Sequence, residues 1–207
     1  MAGIGVCDDA IGNDRGGIAD PEYTRYHDEE WGVPLADDRR LFEKLVLEGF
    51  QSGLSWLTIL KKRDNFRRAF ADFDAAVIAR FGEKDKARLM ADAGIVRNRL
   101  KIEATIDNAK AILALNERTT LSRVVWDFVD GRPLVHVRRS MTEVPPATEV
   151  SKKISKALKS HGFRFIGPTT VYAFMQSSGM VNDHLVTCHR HAACAALQKA
   201  FVYPGAS

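Results

Sequence analysis

Residues 160–185 read SHGFRFIGPTTVYAFMQSSGMVNDHL, and no other stretch limits the possible folds as much. Gly162 and Gly167 bracket a turn too tight for side chains, and Pro168 fits the first position of a helix, where its missing N–H costs nothing. Thr169 and Thr170 follow at that helix start. Two helices joined this way leave backbone N–H groups pointing outward from the turn and the second N-terminus. Such groups can hold a nucleic-acid phosphate without reading any base. Lys152, Lys153, Lys156, Lys159 and Arg164 crowd the approach. Taken alone, the same residues describe equally well an ordinary αα-hairpin with a solvated lysine face.

Around this hairpin, helical periodicity dominates and strand alternation is nearly absent, so the expected class is all-α. Asp37 or Asp38 can cap a helix running toward Phe50, with Leu41, Leu45 and Val46 as its buried stripe. Asp74 can cap another over AAVIARF, closed by Gly82. The longest helix is expected from Asn98 to Glu117, where Ile102, Ile106, Ala109 and Leu113 recur at helical spacing. A further helix covers Leu121 to Val129. Asp130 to Pro146 reads as a loop with a short extended piece at Leu134 to Val137. Thr148 or Ser151 starts the helix entering the hairpin, and an amphipathic helix over His189 to Tyr203 ends the pattern. Residues 150–185 form the hairpin element of one domain over 1–207, with 1–19 expected to be mobile because of the glycines between Gly12 and Gly17.

Hydrophobic residues make up 45% and charged residues 27% of the 207, the balance of a soluble globular protein. No apolar run approaches the ~20 residues of a membrane span. MAGIGVCDDA has neither the basic start nor the apolar core of a signal peptide, so a cytoplasmic location is expected. The net charge of +4 permits nucleic-acid binding without demanding it. Three cysteines argue against a disulfide framework and against a four-cysteine iron–sulfur cluster, but leave room for a mixed Cys/His metal site.

Two segments are too specialised for packing alone. In DPEYTRYHDEEWGVP, Tyr23, Tyr26 and His27 fall on one helical face, where a core would more often be aliphatic. In LEGFQSGLSW, Glu48 stands among apolar residues with Trp56 two turns later, and Gly49 and Gly53 let a backbone or ligand approach closely. A lone buried Glu is usually snorkelling and a Trp is usually core. Together they supply stacking, hydroxyls and a carboxylate, which an enzyme acting on an extruded base requires.

DPEYTRYHDEEWGVP, LEGFQSGLSW, ADAGIVRNRLKI, WDFV, GFRFIGPTTVYAFMQ and VNDHLVTC, in this order, resemble the DNA-3-methyladenine glycosylase I family of the helix-hairpin-helix superfamily. The resemblance runs from about Asp20 to Cys188. It implies a monofunctional N-glycosylase of base excision repair that flips and hydrolytically releases 3-methyladenine from alkylated double-stranded DNA. Glu48, Trp56, Tyr23 and Tyr26 would form the base pocket, with Glu48 and Tyr26 carrying the chemistry. N3-methylated adenine is cationic, so a Trp face and a desolvated carboxylate favour it over the unmodified base. Gly53 and Leu54 are candidates to enter the gap left by the flipped nucleotide, although Leu54 could equally be core. Arg164, Gly167, Thr169 and Thr170 would meet the backbone.

Many relatives with this hairpin carry a catalytic Asp two residues before a His. That position is Asn182 here, with Asp183 one step later and His184 matching the His, so no general base is assigned. No lysine stands at the end of the hairpin's second helix, which argues against a Schiff-base lyase. His184 and Cys188, four apart, make a half-site for zinc if they share a helix face. The resemblance supplies Cys7 and His27 as the other half of a closed, structural Cys2His2 site. His189, His191 and Cys194 lie close enough to substitute. A closed site argues against a zinc hydrolase. The chain departs from the family at Asp9, where relatives place a Trp, and in the longer spacing from Cys7 to His27. The rival reading is a zinc-stabilised helix-hairpin-helix module that binds DNA without catalysis.

Overall fold

The computed structural model describes residues 20–204, so Cys7, Asp9 and the glycine-rich patch lie outside the described residues. Short polar side chains set most helix starts by accepting otherwise free N–H groups. Asp20 caps α1 (Pro21–Glu29), Asp37 caps α2 (Asp38–Gln51) and Ser55 caps α3 (Trp56–Leu60). Helix α4 (Arg63–Ala69) follows. Asp74 caps α5 as expected, but this helix is a single turn (Ala75–Ile78). Gly82 does not close it. It opens α6 (Glu83–Ala91), its N–H donating to Asp85 at 3.1 Å. Asn98 caps α7 (Arg99–Leu115), the longest helix, and Thr120 caps α8 (Leu121–Trp126). The expected continuation to Val129 tightens into a 3-10 turn and stops at left-handed Asp130.

Thr148 caps α9 (Glu149–Ser160), and α10 (Pro168–Ser177) begins with its proline. Gly162, at φ +89°, makes the reversal between them in a conformation that L side chains rarely adopt. Ser155 Oγ donates to the Ile166 carbonyl at 2.6 Å, tying the far end of the turn to α9. No side chain caps the N-terminus of α10 at Gly167. The last helix, α11, is Arg190–Ala200.

The extended piece at Leu134 is real and has a partner that alternation could not reveal. β1 (Leu134–Val135) pairs in parallel with β2 (Val181–Asn182), Leu134 opposite Val181, and Arg138 bridges Leu185 further on. This clasp fastens the loop after α8 to the segment after α10. At the centre α10 packs against both α9 and α2. Phe50 stacks obliquely on Phe66, with ring centroids 4.8 Å apart, and Phe70 and Phe73 extend the aromatic layer. Each such phenyl contributes about 1.5–3 kcal/mol on burial. Among the described residues no helix is long and apolar enough to cross a membrane.

Candidate active site

Helix α1 turns Tyr23, Tyr26 and His27 inward, all buried. Glu48 lies in the last turn of α2, and the Ser55 cap makes Trp56 the first residue of α3. The Tyr26 and Trp56 rings meet at 46° with centroids 5.3 Å apart. Glu48 is 3% exposed, and its Oε2 has no hydrogen-bond partner. The Trp56 indole N–H is buried without an acceptor as well. Burial pushes the Glu48 carboxyl up to about 7, against the opposing pull of the Lys44 ammonium and the Ser177 hydroxyl. Burial raises the Tyr26 hydroxyl well above its usual range, and the Glu48 and Glu30 charges add to the effect, so it stays a proton donor.

Sequence reading missed Lys44. It precedes Glu48 by one turn, lines the same cleft as Tyr26, Leu47 and Trp56, and holds its ammonium 5.4 Å from the Tyr26 ring centroid. Burial brings it down to about 8, resisted by the charges of Glu30 and Glu48. The i,i+4 spacing of Lys44 and Glu48 was a legible signal. Behind them Arg63 grips Glu30 with two bonds of 2.7 and 2.9 Å, which fixes the end of α1.

Asp183 is fully engaged. It accepts from His136 Nδ1 at 2.6 Å and from Gln176 at 2.8 Å, with the Tyr172 hydroxyl also donating and Arg138 at 3.5 Å. These donors hold its carboxyl below the usual range despite burial. Neighbouring Asn182 donates to the His191 carbonyl and accepts from the His184 N–H. Both residues thus build the segment after α10 around the β1–β2 clasp.

The turn from Ser52 to Ser55 projects from the end of α2. Gly53 has φ +86°, and a Cβ there would meet nothing within 4 Å. Leu54 beside it is 40% exposed, which sets aside the core alternative. Gly49 serves the predicted close approach, since a Cβ there would lie 3.4 Å from the Phe165 carbonyl oxygen. Gly167, Thr169 and Thr170 stand at the α10 start. Arg164 keeps 46% of its side chain exposed while its guanidinium pairs with Asp107 at 2.5 Å.

His27, His184 and Cys188 converge, buried, with ligand atoms within 4.8 Å of one another. His184 and Cys188 meet across a turn rather than along a helix, since α11 starts only at Arg190. Cys188 Sγ lies 3.4 Å from His27 Nε2 and 3.6 Å from His184 Nδ1. Tetrahedral zinc with Zn–N near 2.0 Å and Zn–S near 2.3 Å demands ~3.6 Å between such atoms. The other ring nitrogens are held by Asp28 at 2.7 Å and the Trp31 carbonyl at 3.1 Å, the outer support that metal-bound imidazoles receive. The alternatives are otherwise employed. Cys194 donates to the Gly32 carbonyl, His191 contacts the His136 carbonyl, and His189 reaches Asp28, forming with His27 a second, partly exposed group. Cys7 lies outside the described residues.

Fold and site define a helical protein in which a two-helix hairpin stands beside a buried acid–aromatic cleft. Residues 17–191 match the family model described as methyladenine glycosylase, and the chain belongs to that family. It is 49% identical over 170 residues to DNA-3-methyladenine glycosylase 1 of Escherichia coli K12, covering 82% of this chain and 91% of the relative. A DNA-3-methyladenine glycosylase of Haemophilus influenzae is 50% identical over 167 residues, 80% and 90% of the two chains. Among solved structures, 3-methyladenine DNA glycosylase I from Staphylococcus aureus, described for its recognition of 3-methyladenine, superposes with a TM-score of 0.82 at 35% identity. The match covers 91% of this chain and 97% of that one.

Proposed function

We propose that this chain, as one domain, is a DNA N-glycosylase that excises 3-methyladenine from alkylated double-stranded DNA. The observation that carries the reading is the unpartnered Glu48 oxygen, buried beside the Tyr26–Trp56 pair. A buried acceptor and a buried indole donor without protein partners each cost free energy, which a ligand offering the complementary groups offsets. A cationic base does so best. Its charge meets the Glu48 carboxylate and the Trp56 face, Tyr26 donates a hydrogen bond, and Tyr23 closes the wall. Unmodified adenine lacks the charge and leaves Glu48 desolvated without compensation.

The cationic base is a good leaving group. As the C1′–N9 bond breaks, its electron pair neutralises the base, a water oxygen bonds to C1′, and one water proton is released. An ionised Glu48 stabilises the positive charge while it remains on the base. Asp183, saturated by four donors, is not assigned as the base that takes the water proton.

Docking is assigned to the hairpin and the exposed turn. Free N–H groups at the start of α10, with Thr169, Thr170 and Gly167, suit a phosphate, and the α9 lysines add sequence-independent attraction. Gly53 and Leu54 suit the gap behind a flipped nucleotide. His27, His184 and Cys188 fit a structural zinc, with Cys7 the proposed fourth ligand. The ion would bind α1 to the segment before α11 and supply no open position for substrate.

The test is chromatography of bases released from methylated duplex DNA. Release of 3-methyladenine with 7-methylguanine left in place supports the proposal and shows Asp9 to be tolerated. No release from folded protein that still binds DNA transfers the reading to a non-catalytic binding module.

A further inference from the structure

We infer that Lys101 and Asn108, two turns apart on α7, are positioning residues that hold the Ser52–Ser55 turn and the Gly162–Gly167 loop at one fixed separation for DNA. The inference rests on the DNA contacts proposed for these two loops. Both side chains are buried, and both spend their polar atoms on backbone rather than on other side chains. Lys101 Nζ donates to the Phe50 carbonyl at 2.8 Å and the Ser52 carbonyl at 2.7 Å. These carbonyls belong to the end of α2, where no intrahelical donor remains. The turn is then closed from within, Gln51 Nε2 donating to the Leu54 carbonyl and the Leu54 N–H to the Gln51 carbonyl.

Asn108 takes a two-point grip on the hairpin. Its amide donates to the Arg164 carbonyl at 3.1 Å and accepts from the Arg164 N–H at 2.7 Å. The next residue, Phe165, is left-handed at φ +57° and 40% exposed, a conformation that a bulky side chain keeps only where the surroundings impose it. Lys101 and Asn108 are seven residues apart, so they share a helix face with ~10.5 Å of rigid axis between them. Helix α2, which carries the turn, also meets the hairpin loop, since a Cβ on Gly49 would lie 3.4 Å from the Phe165 carbonyl oxygen. An apolar pair would pack at this seam with less desolvation, yet the seam is bridged by groups that fasten each loop's main chain. DNA presents its phosphates and its base stack at a spacing it sets itself. A fixed loop-to-loop distance lets both contacts form in one docking event, with little left to order on binding.

The experiment compares Lys101→Met, Asn108→Ala and the double variant in two assays on the full chain. One is single-turnover release of 3-methyladenine from methylated duplex DNA. The other is binding of free 3-methyladenine followed by tryptophan fluorescence. Each single variant is expected to lower duplex kcat/KM by about 10- to 100-fold, as misplacement of this kind does elsewhere. Free-base affinity is expected to stay unchanged, and the double variant to fall no further than the worse single one, since either loss uncouples the loops. Lys101→Arg, which keeps two donors, should recover part of the loss. Equal losses in both assays mean a general structural role and overturn the inference. Leu54→Ala separates it from the reading beneath it. If that variant leaves duplex release intact, the turn has no DNA role and both fall. If it impairs release while Lys101→Met and Asn108→Ala do not, only the inference falls. Should Lys101→Met fail to fold, Asn108→Ala decides.

Discussion

Replacing Glu48 by Gln should make the protein more stable and less able to hold its base. The Glu48 carboxyl moves from an ordinary 4.5 to about 7 in the fold, chiefly through burial. Each unit is worth about 1.4 kcal/mol, so keeping Glu48 ionised in the folded chain costs about 3 kcal/mol. Because the folded value lies above the unfolded one, the native state binds the proton more tightly. Stability therefore falls as pH rises from about 4.5 to about 7, and the penalty is complete above that. Gln has the same shape and never ionises. The stability difference between Glu48→Gln and the parent should thus widen by about 2 kcal/mol between pH 5 and pH 8, measured by urea unfolding. In the same samples, loss of a charge-assisted hydrogen bond of about 2 kcal/mol should weaken 3-methyladenine binding about 30-fold, read from tryptophan fluorescence. A pH-independent stability difference would refute the reasoning, since it would mean that the carboxyl is solvated or already paired.

Other predictions follow from the same geometry. Lys44→Met removes the ammonium that favours ionised Glu48, so the acidic limb of the pH profile for 3-methyladenine release should shift to higher pH; an unmoved limb contradicts the coupling. Asp183→Asn removes the charge on which His136, Tyr172, Gln176 and Arg138 converge, and should destabilise by about 3–5 kcal/mol in thermal melts. The folded fraction should keep its single-turnover rate, and a rate lost without a stability change would make Asp183 catalytic after all. Protein purified without a histidine tag should carry about one zinc per chain by elemental analysis, and Cys188→Ser should lose it along with unfolding temperature. Full-strength folding at a metal ratio near zero would sink the zinc assignment.

Local chemistry made much of the fold legible. Asp37, Asp74, Asn98 and Thr148 announce helix starts because capping satisfies N–H groups within three residues of the cap, and the rule needs nothing from elsewhere in the chain. Failures came where local rules end. Gly82 follows a helical run and suits a stop, but the chain uses it as a start, because Asp85 downstream takes its N–H. Helix arithmetic pairs His184 with Cys188, and the two do come together, yet across a turn held by the β1–β2 clasp. That clasp joins segments 47 residues apart through two-residue strands, too short for alternation to register.

By itself the sequence determined the helix-rich class, the hairpin with its proline-started second helix, and, through its ordered motifs, the family. Tertiary structure alone decided the state of the residues around the cleft. The unpaired Glu48 oxygen, the ammonium of Lys44 over Tyr26 and the saturation of Asp183 are properties of burial and of partners brought in by other elements. The grip of α7 on both loops is of the same kind, since Lys101 and Phe50 are neighbours only after α2 and α7 have packed. Helix propensity and capping act over a few residues and are written in sequence order, whereas desolvation and charge coupling depend on distances in space that only the packed chain sets.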